Sequence, residues 1–214
     1  IQPYDYDTTN NISYTTTLEN VAPYSGAPYC ILNNNQPNFT DEEKSVTSSY
    51  EYYSDLDYLG RCGPATACLA IDLMPTEPRG RIGSVKPTGW HTIRYDDVIK
   101  DKYLYNRCHL IGYQLAGENA NKKNLITGTR YLNVVGMLEF ENLVANYIED
   151  NPDALVLYRV TPIFDGENLV ANGVEMEGYS VLDGGQDICF HVFCYNVQPG
   201  IGIDYATGDS WRAS

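Results

Sequence analysis

Between residues 154 and 197 three β-rich runs, ALVLYRVTPIF, NLVANGVEMEGYSVL and DICFHVFCYNV, follow one another across Gly/Asp/Asn turns. Such closely spaced runs predict an antiparallel meander, which fixes the centre of whatever sheet this chain builds. Just upstream, residues 136–149 (GMLEFENLVANYIE) place Leu138, Phe140, Leu143, Val144, Tyr147 and Ile148 near a 3.6-residue period, so a helix is expected there. PATACLAIDLM at 64–74 is read as a second helix, with Pro64 in its first turn and Pro75 stopping it. KYLYNRCHLIGYQL at 102–115 alternates like a strand, LITGTRYLN at 125–133 reads as a strand or extended segment, and APYCILNNNQPNF at 27–39 as a short strand running into a turn. Residues 41–62 are acidic and Tyr-rich, with no clear periodicity. Helices and strands mix without regular alternation, so the class is α+β, with a mostly antiparallel central sheet and flanking helices.

The 214 residues, 43% hydrophobic and 20% charged, suffice for one sizeable core. No flexible linker or repeat divides them, so residues 24–214 are expected to form one domain behind a polar arm at 1–23. No run approaches the roughly 18 apolar residues of a membrane span, so no membrane partner is expected. The start, IQPYDYDTTNNISYTTT, lacks a basic region and an apolar stretch, and is read as an exported chain whose leader has been removed.

The net charge of −14 argues against a nucleic-acid partner if taken as an average. It is not evenly spread. Residues 79–130 carry ten basic side chains against four acidic ones, a local balance of +6, which leaves −20 for the remainder. A basic island therefore sits inside an acidic protein.

Six cysteines, Cys30, Cys62, Cys68, Cys108, Cys189 and Cys194, permit up to three disulfides, and sequence does not choose among the pairings. If CFHVFC is a strand, Cys189 and Cys194 face opposite ways and do not bridge each other. Nor can one strand converge Cys189, His191 and Cys194 on a zinc ion, so buried free thiols are expected.

Inside the island, Arg107 and His109 precede Asn124, Asn133 and Glu141. That set suits phosphodiester hydrolysis, which needs a base to take a proton from water, a hard cation to spread developing charge, and a guanidinium on the non-bridging oxygens. An imidazole with an unperturbed pKa near 6.5 is mostly neutral at pH 7, so His109 can be the base. Asn133 offers a neutral carbonyl oxygen in the binding style of a hydrated Mg²⁺. His91 and His191 are read as structural, His91 standing at the edge of a substrate site at most. The 19 tyrosines mostly suit strand faces and surface.

The run Asn106-Arg107-Cys108-His109 resembles the Asp-Arg-Gly-His signature of the DNA/RNA non-specific endonucleases of the ββα-metal (His-Me finger) class, and among them secreted streptococcal-type DNases. The spacings from Asn124 to Asn133 and from Asn133 to Glu141 fit the family as well. YSGAPY at 24–29, LGRCG at 59–63, MPTEPRG at 74–80, VKPTGW at 85–90, LYRVTPIF at 157–164 and VQPGIGIDYATGDSW at 197–211 extend the similarity over residues 24–211. The resemblance implies a ββα-metal fold and a secreted, Mg²⁺- or Mn²⁺-dependent endonuclease acting on DNA and RNA with little sequence preference. It implies His109 as general base, Asn133 as the direct cation ligand and Glu141 as a holder of the cation's water. Arg107 would stabilise the phosphate, Asn124 position the site, and Arg79 make a second phosphate contact, although Arg81 stands two residues away. Lys122 and Lys123 are expected on flanking phosphates. A possible inhibitor or immunity protein is left unidentified.

Two signature positions depart from the pattern. Asn106 stands for the acid and Cys108 for the glycine beside the histidine, where a side chain requires ordinary backbone angles and space. With the acidic bulk of the chain, they leave an alternative of another class: a non-catalytic extracellular binding module on a degenerate nuclease fold.

Overall fold

The computed structural model describes residues 16–214. Most of the expected arm therefore lies outside the described residues. Strand β1 (Tyr29–Ile31) is followed by a one-turn helix α1 (Asp41–Lys44), then β2 (Tyr50–Tyr53) and β3 (Ala65–Leu69). The hairpin strands β4 (Tyr105–His109) and β5 (Leu125–Thr129) flank a short helix α2 (Tyr113–Ala116) and lead into helix α3 (Leu138–Asp150). The meander follows as β6 (Val156–Ile163), β7 (Gly173–Ser180) and β8 (Cys189–Tyr195), and the chain closes with β9 (Ile201–Ile203) and β10 (Ser210–Arg212).

Six of these strands form one antiparallel sheet in the order β1-β8-β7-β6-β3-β2. Its centre is the expected meander. One face, with Ala67, Leu69, Val156, Tyr158, Val160, Val174, Met176, Phe190, Val192 and Cys194, packs on Phe140, Val144, Ala145 and Ile148 of α3 and on Cys108 and Ile126 of the hairpin. Cys194 belongs to this core while Cys189 faces outward, and all six cysteines are free thiols.

The helix expected over 64–74 is not there. Residues 65–69 form β3, paired on both edges with β2 and β6 and buried at every position, and only 71–73 make a single 3₁₀ turn. A run of five small or apolar residues, Thr66 among them, carries too little periodicity to separate a buried strand from a helix, and pairing with two neighbours decides it. The helix expected from 136 begins earlier, because residues 132–137 coil as a π segment leading directly into α3.

The opposite face of the sheet carries charge. Arg159 on β6 donates from Nε to Glu177 Oε2 (2.8 Å) and from Nη1 to Glu43 Oε1 (3.0 Å). Glu43 also completes a capping box with Thr40, so α1 and the network hold each other. Glu177 Oε1 accepts from the Asn38 amide (2.7 Å). His191, 1% exposed, directs Nδ1 at the Gln36 carbonyl (2.9 Å) and Nε2 at Glu175 Oε1 (2.5 Å). Both partners accept, so the histidine–carboxylate pair holds the proton that makes His191 an imidazolium. Burial opposes that charge, but Glu175, Glu177 and the Gln36 carbonyl prevail and raise the His191 pKa above its ordinary value.

A raised histidine pKa stabilises the fold fully below the unfolded value near 6.5, and that stabilisation is lost as pH rises through the folded value. Thermal unfolding followed from pH 6 to pH 9 is therefore expected to show a falling melting temperature. His191→Gln should flatten that slope, whatever its effect on stability at pH 6. An unchanged slope would remove His191 from the account of alkaline sensitivity.

Candidate active site

The hairpin pairs Asn106 with Gly128, Cys108 with Ile126 and His109 with Leu125. Alternation along β4 sends Asn106 and Cys108 toward the helix that follows β5, and Arg107 and His109 the other way. Cys108 is accommodated because Gly128 has no side chain: a Cβ there would lie 2.6 Å from the Cys108 Cβ. Cys108 is also absent from the residues with positive φ, so both conditions set by its replacement of glycine are met.

His109 ends β4 and is 7% exposed. Its Nε2 lies 2.8 Å from the main-chain oxygen of Asn119, which can only accept, so Nε2 carries the proton and the neutral ring keeps its lone pair on Nδ1. Burial lowers the His109 pKa, with Arg79 adding to the effect against the Asn119 carbonyl and Glu118. The ring is therefore neutral at pH 7. The loop supplying the Asn119 carbonyl is closed by Asn124, fully buried, whose Oδ1 accepts from Ile111 N and whose Nδ2 donates to Ile111 O, both at 2.9 Å. Asn124 thus braces the loop behind His109, and this two-point clasp belongs to the loop's architecture.

Across the hairpin, Asn133 lies in the π segment, with Nδ2 3.0 Å from Asn106 Oδ1 and Oδ1 3.4 Å from Cys108 Sγ. Glu141 follows eight residues later. At 3.6 residues per turn, eight residues overshoot two turns by about 80°. The wider π coil turns less per residue and takes up this overshoot, so a local irregularity presents both residues to the hairpin. Glu141 is 7% exposed, and its carboxyl packs against Gly112, where a Cβ would approach it to 3.1 Å. No described residue donates a hydrogen bond to it, and burial pushes its pKa up to about 7 despite the opposing charge of Arg79.

Arg79 is exposed, stands 5.4 Å from the Tyr113 ring centroid, and acts electrostatically on both His109 and Glu141. Arg107 lies on the His109 side of β4, but Nε donates to Val85 O (2.5 Å) and Nη2 to Gly83 O (3.0 Å), with the guanidinium 4.2 Å from the Trp90 ring centroid. It anchors residues 83–90. Lys122 is exposed, whereas Lys123 pairs with Asp55 at 2.7 Å. His91 lies apart, with Nε2 3.0 Å from Thr207 O.

Sequence reasoning missed Asn119, which works through its backbone and carries no side-chain signal. It also missed the meeting of Glu175, Glu177 and His191, whose ligand atoms lie within 4.8 Å of one another on the far face of the sheet. There Glu177 is engaged by Arg159 and the Asn38 amide, and both ring nitrogens of His191 are engaged, so this cluster is satisfied as an ion-pair network.

Strand, strand and helix around His109, Asn133 and Glu141 agree with a family-level match: the model of the DNA/RNA non-specific endonuclease family matches residues 38–181. The chain belongs to this family. A curated relative named deoxyribonuclease, from Streptococcus dysgalactiae subsp. equisimilis, is 34% identical over 112 residues, which are 50% of this chain and 33% of the relative. The match thus spans about a third of that relative's length. NucA from Streptococcus agalactiae, solved with a magnesium ion bound, is 29% identical with a TM-score of 0.74 over 86% of each chain. The same protein solved with no metal bound gives 28% and 0.77 over 92% of each.

A family cation fits the residues present. Glu141 is a largely buried carboxyl to which no described residue donates, and burial disfavours its charged form, a penalty that a cation would offset, while Asn133 adds a hard carbonyl oxygen next to the same hairpin. Both are oxygen donors, as Mg²⁺ requires.

Proposed function

We propose that this chain is an endonuclease that hydrolyses phosphodiester bonds of DNA and RNA, leaving 5′-phosphates, with little sequence preference and outside the cell. The observation that carries the reading is the His109 tautomer: with Nε2 donating to the Asn119 carbonyl, Nδ1 is an unprotonated base at neutral pH on the hairpin against which the coil and helix carrying Asn133 and Glu141 pack. Asn133 and Glu141 would hold Mg²⁺ or Mn²⁺ at the hairpin. When bound, the cation neutralises charge on the scissile phosphate. Nδ1 of His109 takes the proton of the attacking water, Arg79 and the remaining N–H groups of Arg107 grip phosphate oxygens, and Asn124 keeps the loop behind His109 in place. Arg and Lys contacts to phosphate carry no base information, which accounts for the weak sequence preference.

Supercoiled plasmid and single-stranded RNA, each incubated with the purified chain and MgCl₂, are expected to be degraded, and EDTA to stop both reactions. Inactivity across Mg²⁺, Mn²⁺ and Ca²⁺ in a folded preparation would instead favour the binding-module alternative.

Nucleic-acid binding is expected to be weak and salt-sensitive, since the surrounding −20 repels phosphate. Lys122→Glu with Lys123→Glu should raise the apparent KM, leave kcat nearly unchanged, and flatten the log–log salt dependence by about 0.9 for each phosphate that is no longer neutralised. Because Asp55 already engages Lys123, Lys122→Glu alone should produce most of the effect. An unchanged salt slope would take this loop off the binding surface.

A further inference from the structure

The two positions at which this chain departs from the signature both touch Asn133. Asn106 Oδ1 accepts from Asn133 Nδ2 at 3.0 Å and from Arg130 Nη1 at 3.3 Å, and Arg130 is in turn held through Nε by Asp101 Oδ2 at 2.7 Å. A guanidinium only donates, so the amide of Asn106 must turn its oxygen toward Arg130 and Asn133. With that oxygen in place, Asn133 must meet it with its NH₂ end, since the reversed amide would set two carbonyl oxygens against each other. The Asn133 oxygen is thereby turned away from Asn106 and toward the Cys108 thiol 3.4 Å away, whose single proton also has Met137 Sδ (3.5 Å) and the His109 carbonyl (3.8 Å) in reach, so the thiol takes at most one of the two oxygen lone pairs. The second lone pair remains for a ligand.

We propose that Asn106, oriented by Arg130, is a positioning residue that fixes which end of the Asn133 amide is offered to the cation, and that Cys108 completes the lock. This rests on the reading of Asn133 as the cation ligand. The departures from the signature then form one compensated unit. Asn106 keeps the acceptor that an acid would supply, Cys108 adds a donor that glycine lacks, and Gly128 opposite makes room for it. The requirement at position 106 is an acceptor oxygen facing Asn133, not a negative charge.

The test is Mn²⁺ binding to the whole protein, measured by electron paramagnetic resonance without substrate, alongside the Mg²⁺ dependence of cleavage. Asn106→Leu should weaken Mn²⁺ binding about 10–100-fold, the usual cost of losing a group that orients a ligand. It should raise the Mg²⁺ concentration for half-maximal cleavage by a similar factor, with kcat at saturating Mg²⁺ largely preserved. Asn106→Asp, which retains the acceptor, should bind Mn²⁺ within a few-fold of the parent. Parental Mn²⁺ affinity in Asn106→Leu, with affinity lost in Asn133→Ala, would overturn the proposal and spare the ligand assignment. Parental affinity in Asn133→Ala would overturn the assignment itself. If Asn106→Leu fails to fold, nuclear magnetic resonance of the unaltered protein decides. The Asn133 side-chain NH₂ should show one proton protected from exchange before and after Mg²⁺ is added, and equal rapid exchange of both protons would contradict the lock.

Discussion

His109→Ala should cleave DNA about 10²–10⁴-fold more slowly than the parent chain, the usual cost of losing a general base. Metal and phosphate binding are assigned to other side chains, so the loss should fall on kcat, with KM and the Mg²⁺ requirement close to parental. The pH dependence supplies a second readout. Burial lowers the His109 pKa, so kcat should rise on the acid side as the ring becomes neutral, and the Glu141 carboxyl, which burial pushes up to about 7, adds its own ionisation to that limb. In the variant the His109 part of that limb should disappear, leaving the ionisation of Glu141. The His191 network works in the opposite sense, losing stabilisation as pH rises, so activity and stability should part company on the alkaline side.

Asn133→Ala should be equally severe by a different route. It deletes the carbonyl oxygen expected to hold the cation, so Mg²⁺ affinity should fall by at least the roughly 10–100-fold associated with groups one step further out, and cleavage at limiting Mg²⁺ should fall further. Its side chain makes two part-buried polar contacts, worth about 1 kcal/mol each at most, so the melting temperature should move by only a few degrees. Asn133→Asp keeps an oxygen but loses the NH₂ that meets Asn106, and should fall between parent and alanine variant. Cleavage and Mg²⁺ titrations with calorimetric unfolding of the same preparations separate these effects. Near-parental activity of Asn133→Ala at limiting Mg²⁺ would pass the ligand role to Glu141.

The meander was legible in the sequence because turn residues bound each run and its strands are long enough for pattern to register. The stretch that became β3 was not, since its short, mostly apolar run fits a helix and a strand alike and only the neighbouring strands decide. For the site, His109, Asn133 and Glu141 could be selected from residue type and spacing. What would make them a site could not. The Asn119 carbonyl that sets the His109 tautomer, the π coil that aligns Asn133 with Glu141, and the Gly112 gap beside the Glu141 carboxyl are backbone features with no side-chain signature. The basic island was legible as charge, but its internal pairing was not: Arg94 pairs with Asp96, Arg130 with Asp101 and Lys123 with Asp55. Arg107 also commits two donors to residues 83–85.

The proposed hydrolysis depends most on His109 Nδ1 being the base, and chemical rescue tests that atom most directly. His109→Gly leaves a cavity where the ring stood and should cleave plasmid far more slowly than the parent. Added imidazole should restore part of the rate, in proportion to its neutral form as pH is varied at fixed Mg²⁺. Cleavage by repurified His109→Gly at the parental rate without imidazole, still abolished by EDTA, would contradict the account and move the search for a base to His91.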